Sequence, residues 1–187
     1  ALLLNAIPAN ADDPVCLNYL VQERGIPEEV VREAQRRKII GFLPSDPTKA
    51  IRFLIDSVGE ELLKASGLWK EGAKMPGICY RPIVAFLPGG YSAEFRLSRK
   101  PRDDAERKSL RYGATRFPWF WKGQEQRVMV VEGVIDLLSA VALGFNGHVI
   151  GVTGCNQWKP EWFQELREKR DVRMFYVALG NDDSEMI

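Results

Sequence analysis

The sequence predicts an α+β N-terminal subdomain followed by an α/β domain, a parallel sheet flanked by helices. Three observations predict it: apolar residues at helical spacing through the first third, a change to short alternating runs over residues 78–97, and a regular succession of strand and helix from Arg127 onward. The boundary is expected between residues 126 and 127, giving subdomains 1–126 and 127–187.

Leu17, Leu20 and Val21, then Val30, Val31 and Ala34, follow the helical period, interrupted at Gly25-Ile26-Pro27. This predicts two helices within residues 15–38. The second begins near Pro27 with Glu28 and Glu29 in its first turn, where the positive end of the helix favours carboxylates. Residues 48–66, with Ala50, Leu54, Val58 and Leu62 in step, predict another amphipathic helix ended by Gly67. Ile83 to Leu87, the turn Pro88-Gly89-Gly90, and Tyr91 to Leu97 read as a β-hairpin with Glu94 and Arg96 on the face away from Phe95. Residues 98–116 are a long polar and basic connection, a length that usually marks function. The run Phe117-Pro118-Trp119-Phe120-Trp121 reads first as an apolar plug between subdomains and second as a base-stacking surface.

Val128 to Val131 is the continuous apolar run of a buried parallel strand, ending in Glu132-Gly133. A helix over 134–143 closed by Gly144, a strand from His148 to Val152, a helix over 160–169 opened by Pro160, and a strand from Met174 to Leu179 complete the pattern. In such sheets the chemistry sits beyond the carboxyl ends of the strands. Glu132, Asp136 one helical turn later, Gly154-Cys155-Asn156, and Gly180-Asn181-Asp182-Asp183 emerge there. Carboxylates crowded at one edge repel unless a cation lies between them, so Glu132, Asp182 and Asp183 make an oxygen-donor set for a hard ion such as Mg²⁺. Read singly, Glu132 and Asp136 are helix caps, and Asp182 and Asp183 a solvated turn.

The 187 residues are 45% hydrophobic and 27% charged, with ordinary Gly and Pro, which excludes disordered and fibrous classes. No apolar run reaches the roughly 18 residues of a membrane helix, and Ala1-Leu2-Leu3-Leu4 lacks the basic flank of a signal peptide, so a cytoplasmic location and no membrane partner are expected. Three scattered cysteines and a single histidine exclude a disulfide framework and a Cys/His zinc site. With no initiator Met and a stop just after a hydrophobic strand, the chain is expected to be an excised fragment. The net charge of +1 conceals a division: −1 over residues 1–95, +6 over 96–127 and −4 over 128–187. A basic stretch abutting an acidic one suits a protein that grips a polyanion with one part and holds metal ions with another. The plainer reading is a solvated basic loop beside an ordinary acidic face.

Taken together the motifs resemble a family. Val130-Val131-Glu132-Gly133-Val134-Ile135-Asp136 resembles the first motif of the toprim domain, a strand ending in Glu-Gly-x-x-Asp, and Ala178-Leu179-Gly180-Asn181-Asp182 its second, a strand ending in Asp-x-Asp. Upstream, Arg81-Pro82-Ile83 to Arg96, Arg111-Tyr112-Gly113-Ala114 and Pro118-Trp119-Phe120-Trp121-Lys122-Gly123 resemble the region preceding that domain in bacterial DnaG-type primases. Tyr19 to Ile26 is similar to the helical start of the same core, so the resemblance runs from about residue 15 to the end. The chain departs from the pattern at Gly180, where the family has the first aspartate of Asp-x-Asp.

The resemblance implies a Rossmann-like toprim fold for 127–187 and template-directed RNA primer synthesis for a phage, plasmid or bacterial chromosome. It implies Glu132 and Asp136 as catalytic carboxylates, with Glu132, Asp182 and Asp183 holding Mg²⁺ or Mn²⁺. Arg81, Arg96, Arg111 and Lys122 would line the groove for template and triphosphate, and the implied partners are single-stranded DNA, nucleoside triphosphates and a replicative helicase. Two alternatives stand beside it: a toprim nuclease or topoisomerase-type enzyme, and a catalytically silent single-stranded nucleic-acid-binding module.

Overall fold

The computed structural model describes residues 7, 12–154 and 157–179. They form a mixed α/β chain that divides into two compact units, Ala1–Arg116 and Phe117–Ile187.

The first unit opens with α1 (Pro14–Asn18), capped by the Asp13 carboxylate, which accepts from the backbone N–H groups of Val15 and Cys16. A wider helical turn, Tyr19–Glu23, and α2 (Glu28–Arg36) follow, separated by the expected break at Gly25. The helix expected over 48–66 is two, α3 (Pro47–Val58) and α4 (Glu60–Ala65), because Gly59 takes φ +88°. A single turn, Gly77–Tyr80, then leads into the sheet.

That sheet is antiparallel throughout in the order β1-β2-β3-β4: β1 (Ile40–Phe42), β2 (Ile83–Phe86), β3 (Ser92–Arg96) and β4 (Ser109–Gly113). The hairpin β2–β3 is as expected. β1 and β4 are not, since three residues of β1 are too few to show a period and β4 lies inside the polar connection 98–116. Val84, Phe86 and Phe95 pack with Leu43, Leu54, Leu63 and Ile78 into one core, while Glu94 and Arg96 take the other face.

The second unit holds β5 (Trp119–Trp121), β6 (Glu125–Glu132), α5 (Gly133–Ala142), β7 (Gly147–Val152), α6 (Pro160–Arg170) and β8 (Met174–Ala178). Its order is β5-β7-β6-β8, with β6 parallel to both β7 and β8 and β5 antiparallel to β7. The aromatic run expected as a plug is therefore an edge strand, and residues 117–126, expected in the first subdomain, belong to the second unit. The reason is pairing: Trp119, Phe120 and Trp121 lie opposite Gly151, Ile150 and Val149. On one face Trp162 and Leu166 of α6 cover Val128, Val130, Ile150 and Val152. Gly151 faces the other way, towards the first turn of α5, and a Cβ there would meet the Gly133 carbonyl oxygen at 2.6 Å.

Candidate functional site

Glu132 is the last residue of β6 and the residue before α5. It keeps extended backbone, φ −90° and ψ 105°, and its exposed side chain makes no capping bond to the helix. Gly133 then turns the chain with φ +86°, a conformation that costs an L side chain. The Glu-Gly pair thus has a mechanical basis: the glycine reverses the chain so that the carboxylate stays at the strand end instead of folding over the helix N-terminus. Asp136, four residues on and in the first turn of α5, shares that helix face.

Glu132 is level with Val152 on β7, and Val131 with Ala178 on β8, so all three parallel strands end together at this edge. Gly180, Asp182 and Asp183 lie outside the described residues. Among the described residues no group of three or more His, Cys, Asp or Glu side chains is placed to hold a metal ion. Glu132 and Asp136 are a pair of hard oxygen donors, which fits Mg²⁺ or Mn²⁺ as part of a shell, since Mg²⁺ commonly takes one or two carboxylates and completes its shell with water and substrate phosphates.

The four basic residues expected in one groove have different surroundings. Arg96 donates from Nη1 to Glu94 Oε1 at 2.7 Å, a half-buried pair, and Arg111 stands directly opposite Glu94 on β4. These three share one face of the sheet. Arg81 is instead spent on the protein's own backbone: Nη1 donates to the Gly77 carbonyl at 3.1 Å and Nη2 to the Arg107 carbonyl at 2.8 Å. It braces a turn to a loop. Lys122 follows β5 at the level of His148, four residues along β7 from the partner of Glu132, or roughly 13 Å at ~3.3 Å per residue. Within the second unit, then, Lys122 and Glu132 sit at opposite ends of the sheet.

Residues that the sequence did not single out complete the picture. Glu106 accepts two bonds from Arg99, at 2.7 and 2.6 Å, and one from the Arg102 N–H at 2.8 Å. The Arg99 guanidinium and the backbone donor hold its carboxyl down to about 2. The spacing Arg99 to Glu106 crosses an irregular loop, so no periodicity could have paired them. His148, mostly buried, accepts from the Gly123 N–H through Nδ1 at 3.0 Å. Its pKa is pushed down by burial and by the nearby cations Arg170 and Lys122. Arg170 lies 4.7 Å from the Phe120 ring centre and the imidazole 5.6 Å from it on the same strand-edge residue.

The mixed α/β fold with its two sheets is similar to that of primase RNA polymerase domains. Two solved structures are similar to this chain. One is the zinc-binding and RNA polymerase domains of the Aquifex aeolicus primase, with TM-score 0.57, 18% identity, and coverage of 92% of this chain and 44% of that one. The other is the RNA polymerase domain of Mycobacterium tuberculosis primase DnaG in complex with a double-stranded DNA oligomer with a 6-nucleotide overhang, with TM-score 0.60, 18% identity, and coverage of 97% and 65%. The chain thus spans less than two thirds of either neighbour. No family model and no curated protein matches the sequence.

Proposed function

We propose that this chain is the nucleotidyl-transfer core of a DNA primase, a toprim-containing enzyme that makes RNA primers on single-stranded DNA. The supporting observation is the placing of Glu132, an exposed carboxylate held at the carboxyl end of a central parallel strand by a glycine of positive φ. The fold around it is similar to a primase RNA polymerase domain over 97% of the chain.

Phosphoryl transfer asks the protein for alignment and charge neutralisation more than for covalent chemistry. Glu132 serves as general base for the attacking hydroxyl or as the carboxylate that organises the metal, with Asp136 beside it. Glu132, with Asp182 and Asp183, would hold Mg²⁺ or Mn²⁺, which would supply charge neutralisation for the triphosphate. Arg96 and Arg111 offer planar guanidiniums to phosphate oxygens, a geometry that Lys lacks. The substrates are nucleoside triphosphates and a single-stranded DNA template, and a replicative helicase is the expected partner.

The test is primer synthesis on single-stranded DNA with Mn²⁺, comparing the wild type with Glu132→Gln. Loss of charge at constant shape is expected to lower primer yield by about 10²-fold or more, the range of general acid–base groups, with template binding nearly unchanged. Wild-type yield from the Gln variant removes Glu132 from the mechanism. A second reading, a silent single-strand-binding module, is favoured by Gly180 in place of an aspartate. It is selected if the wild type binds template and makes no primer, and cleavage of labelled DNA selects a nuclease.

A further inference from the structure

In the connection between β3 and β4 one acid, Glu106, is half-buried and paired, Asp103 and Asp104 are exposed, and most of the cations point to solvent. Glu106 is consumed by Arg99 and by the Arg102 N–H. Asp103 Oδ1 accepts from the N–H groups of Ala105 and Glu106, at 3.0 and 2.9 Å. The base of the loop is closed by the Leu97 N–H to the Lys108 carbonyl at 3.0 Å, and its far strand is held by Arg81 through the Arg107 carbonyl. Lys100, Arg107 and Lys108 are exposed. Their side chains make no hydrogen bond or ion pair with any described residue.

We propose that this loop is a nucleic-acid backbone grip, with Lys100, Arg107 and Lys108 contacting phosphates and the Arg99–Glu106 pair setting their positions. Three features favour a polynucleotide over a protein or a lipid surface. The loop, residues 98–108, has no aromatic or large aliphatic side chain to bury against a protein or insert in a bilayer. Its flanking strands carry two further arginines, Arg96, which is paired with Glu94, and Arg111. Phosphate contacts by such side chains position a strand without reading its bases, which suits template held in any sequence. The naming of nucleic acid rests on the function proposed above, while the grip itself is read from the loop.

Glu106 makes the inference sharp. If only the overall field mattered, removing a carboxylate beside a polyanion site would tighten binding, because the loop gains one positive charge. If Glu106 holds the cations in place, its removal weakens binding despite that gain.

The experiment measures binding of fluorescently labelled oligothymidylate by anisotropy across a salt series. Proteins compared are the wild type, Lys100→Gln/Arg107→Gln/Lys108→Gln, Glu106→Gln, and a charge-matched control from the same unit, Lys49→Gln/Lys70→Gln/Lys74→Gln. The loop triple is expected to flatten the log–log salt slope by about 2, near 0.7 per lost single-strand contact, while the control leaves the slope unchanged. Glu106→Gln is expected to bind several-fold more weakly. The grip is overturned if loop and control triples lose affinity alike or if neither changes the slope. The positioning role is overturned if Glu106→Gln binds as tightly as the wild type or more so, with Glu106→Asp as the variant that should restore affinity. Stronger loss of binding to anionic phosphatidylserine vesicles than to oligothymidylate would also overturn it. Primer synthesis is run in parallel. A wild type that loses DNA through the loop triple yet never makes primer refutes the polymerase reading alone, and full primer yield with an unaltered slope in the triple refutes the grip alone.

Discussion

A Cβ placed on Gly151 of β7 would lie 2.6 Å from the carbonyl oxygen of Gly133, the residue on which the chain turns out of β6 into α5. The missing Cβ of Gly151 lets the strand meet that turn at backbone distance, while Gly133 supplies the φ of +86° on which the chain turns, and the candidate carboxylate Glu132 is held at that junction. A side chain at either position acts on the site through the backbone.

Gly151→Ala and Gly133→Ala should therefore differ in kind. Around Gly133 there is open space, so its variant carries only the strain of φ +86°, about 1–2 kcal/mol. Gly151→Ala forces backbone apart and should cost more, towards the upper end of the ~1–3 kcal/mol seen for overpacked cores. Denaturant unfolding of both variants checks the order. Equal stability of wild type and Gly133→Ala would show that the turn does not require a glycine.

Arg96 and Arg111 should each contribute a phosphate contact, so Arg96→Gln and Arg111→Gln are expected to weaken single-stranded DNA binding across all sequences and flatten its salt slope by about 0.7 each. Arg81→Gln should behave differently. It removes two bonds to backbone carbonyls, and the loss should appear in melting temperature, with the salt slope little changed. Anisotropy over a salt series, with a thermal melt of each variant, separates the two behaviours.

His148 supplies a pH dependence with a definite sign. Burial first, and Arg170 and Lys122 second, hold its folded pKa below the ordinary 6.5. Between those values the unfolded chain binds more protons than the folded one, so this contribution to stability is full above about 6.5 and is lost as the pH falls. The one histidine of the chain gives a single imidazole resonance, expected to titrate with a midpoint below 6.5. Thermal stability should decline between pH 7 and 5, and His148→Gln should flatten that part of the profile. A midpoint at or above 6.5 would contradict the buried, cation-flanked setting.

The sequence made legible the elements whose burial repeats with a period. The paired strand and helix from Val128 to Ala142 and the hairpin at β2–β3 show this, because long apolar runs and alternation report burial directly. What escaped was fixed by partners distant in the chain. Trp119 to Trp121 are apolar on both sides, which suits a plug and a strand equally, and only pairing with β7 decides. Ser109 to Gly113 carry a basic, loop-like composition yet complete a sheet, since β3 offers them a ladder. The positions of Glu132 and Asp136, at a strand end and one helical turn on, were readable from the sequence. Glu106 and the backbone duty of Arg81 were not, because each depends on a hydrogen bond made in space.

The edge strand β8 has a consequence for anyone handling the protein. Its inner side is paired to β6, yet Met174, Tyr176 and Val177 are 52%, 39% and 70% exposed, and among the described residues no strand pairs with its outer edge. An open row of amides beside apolar side chains is a template for a further strand from any neighbour, its own copy included. In concentrated solution the second unit would therefore be a seed for edge-to-edge stacking.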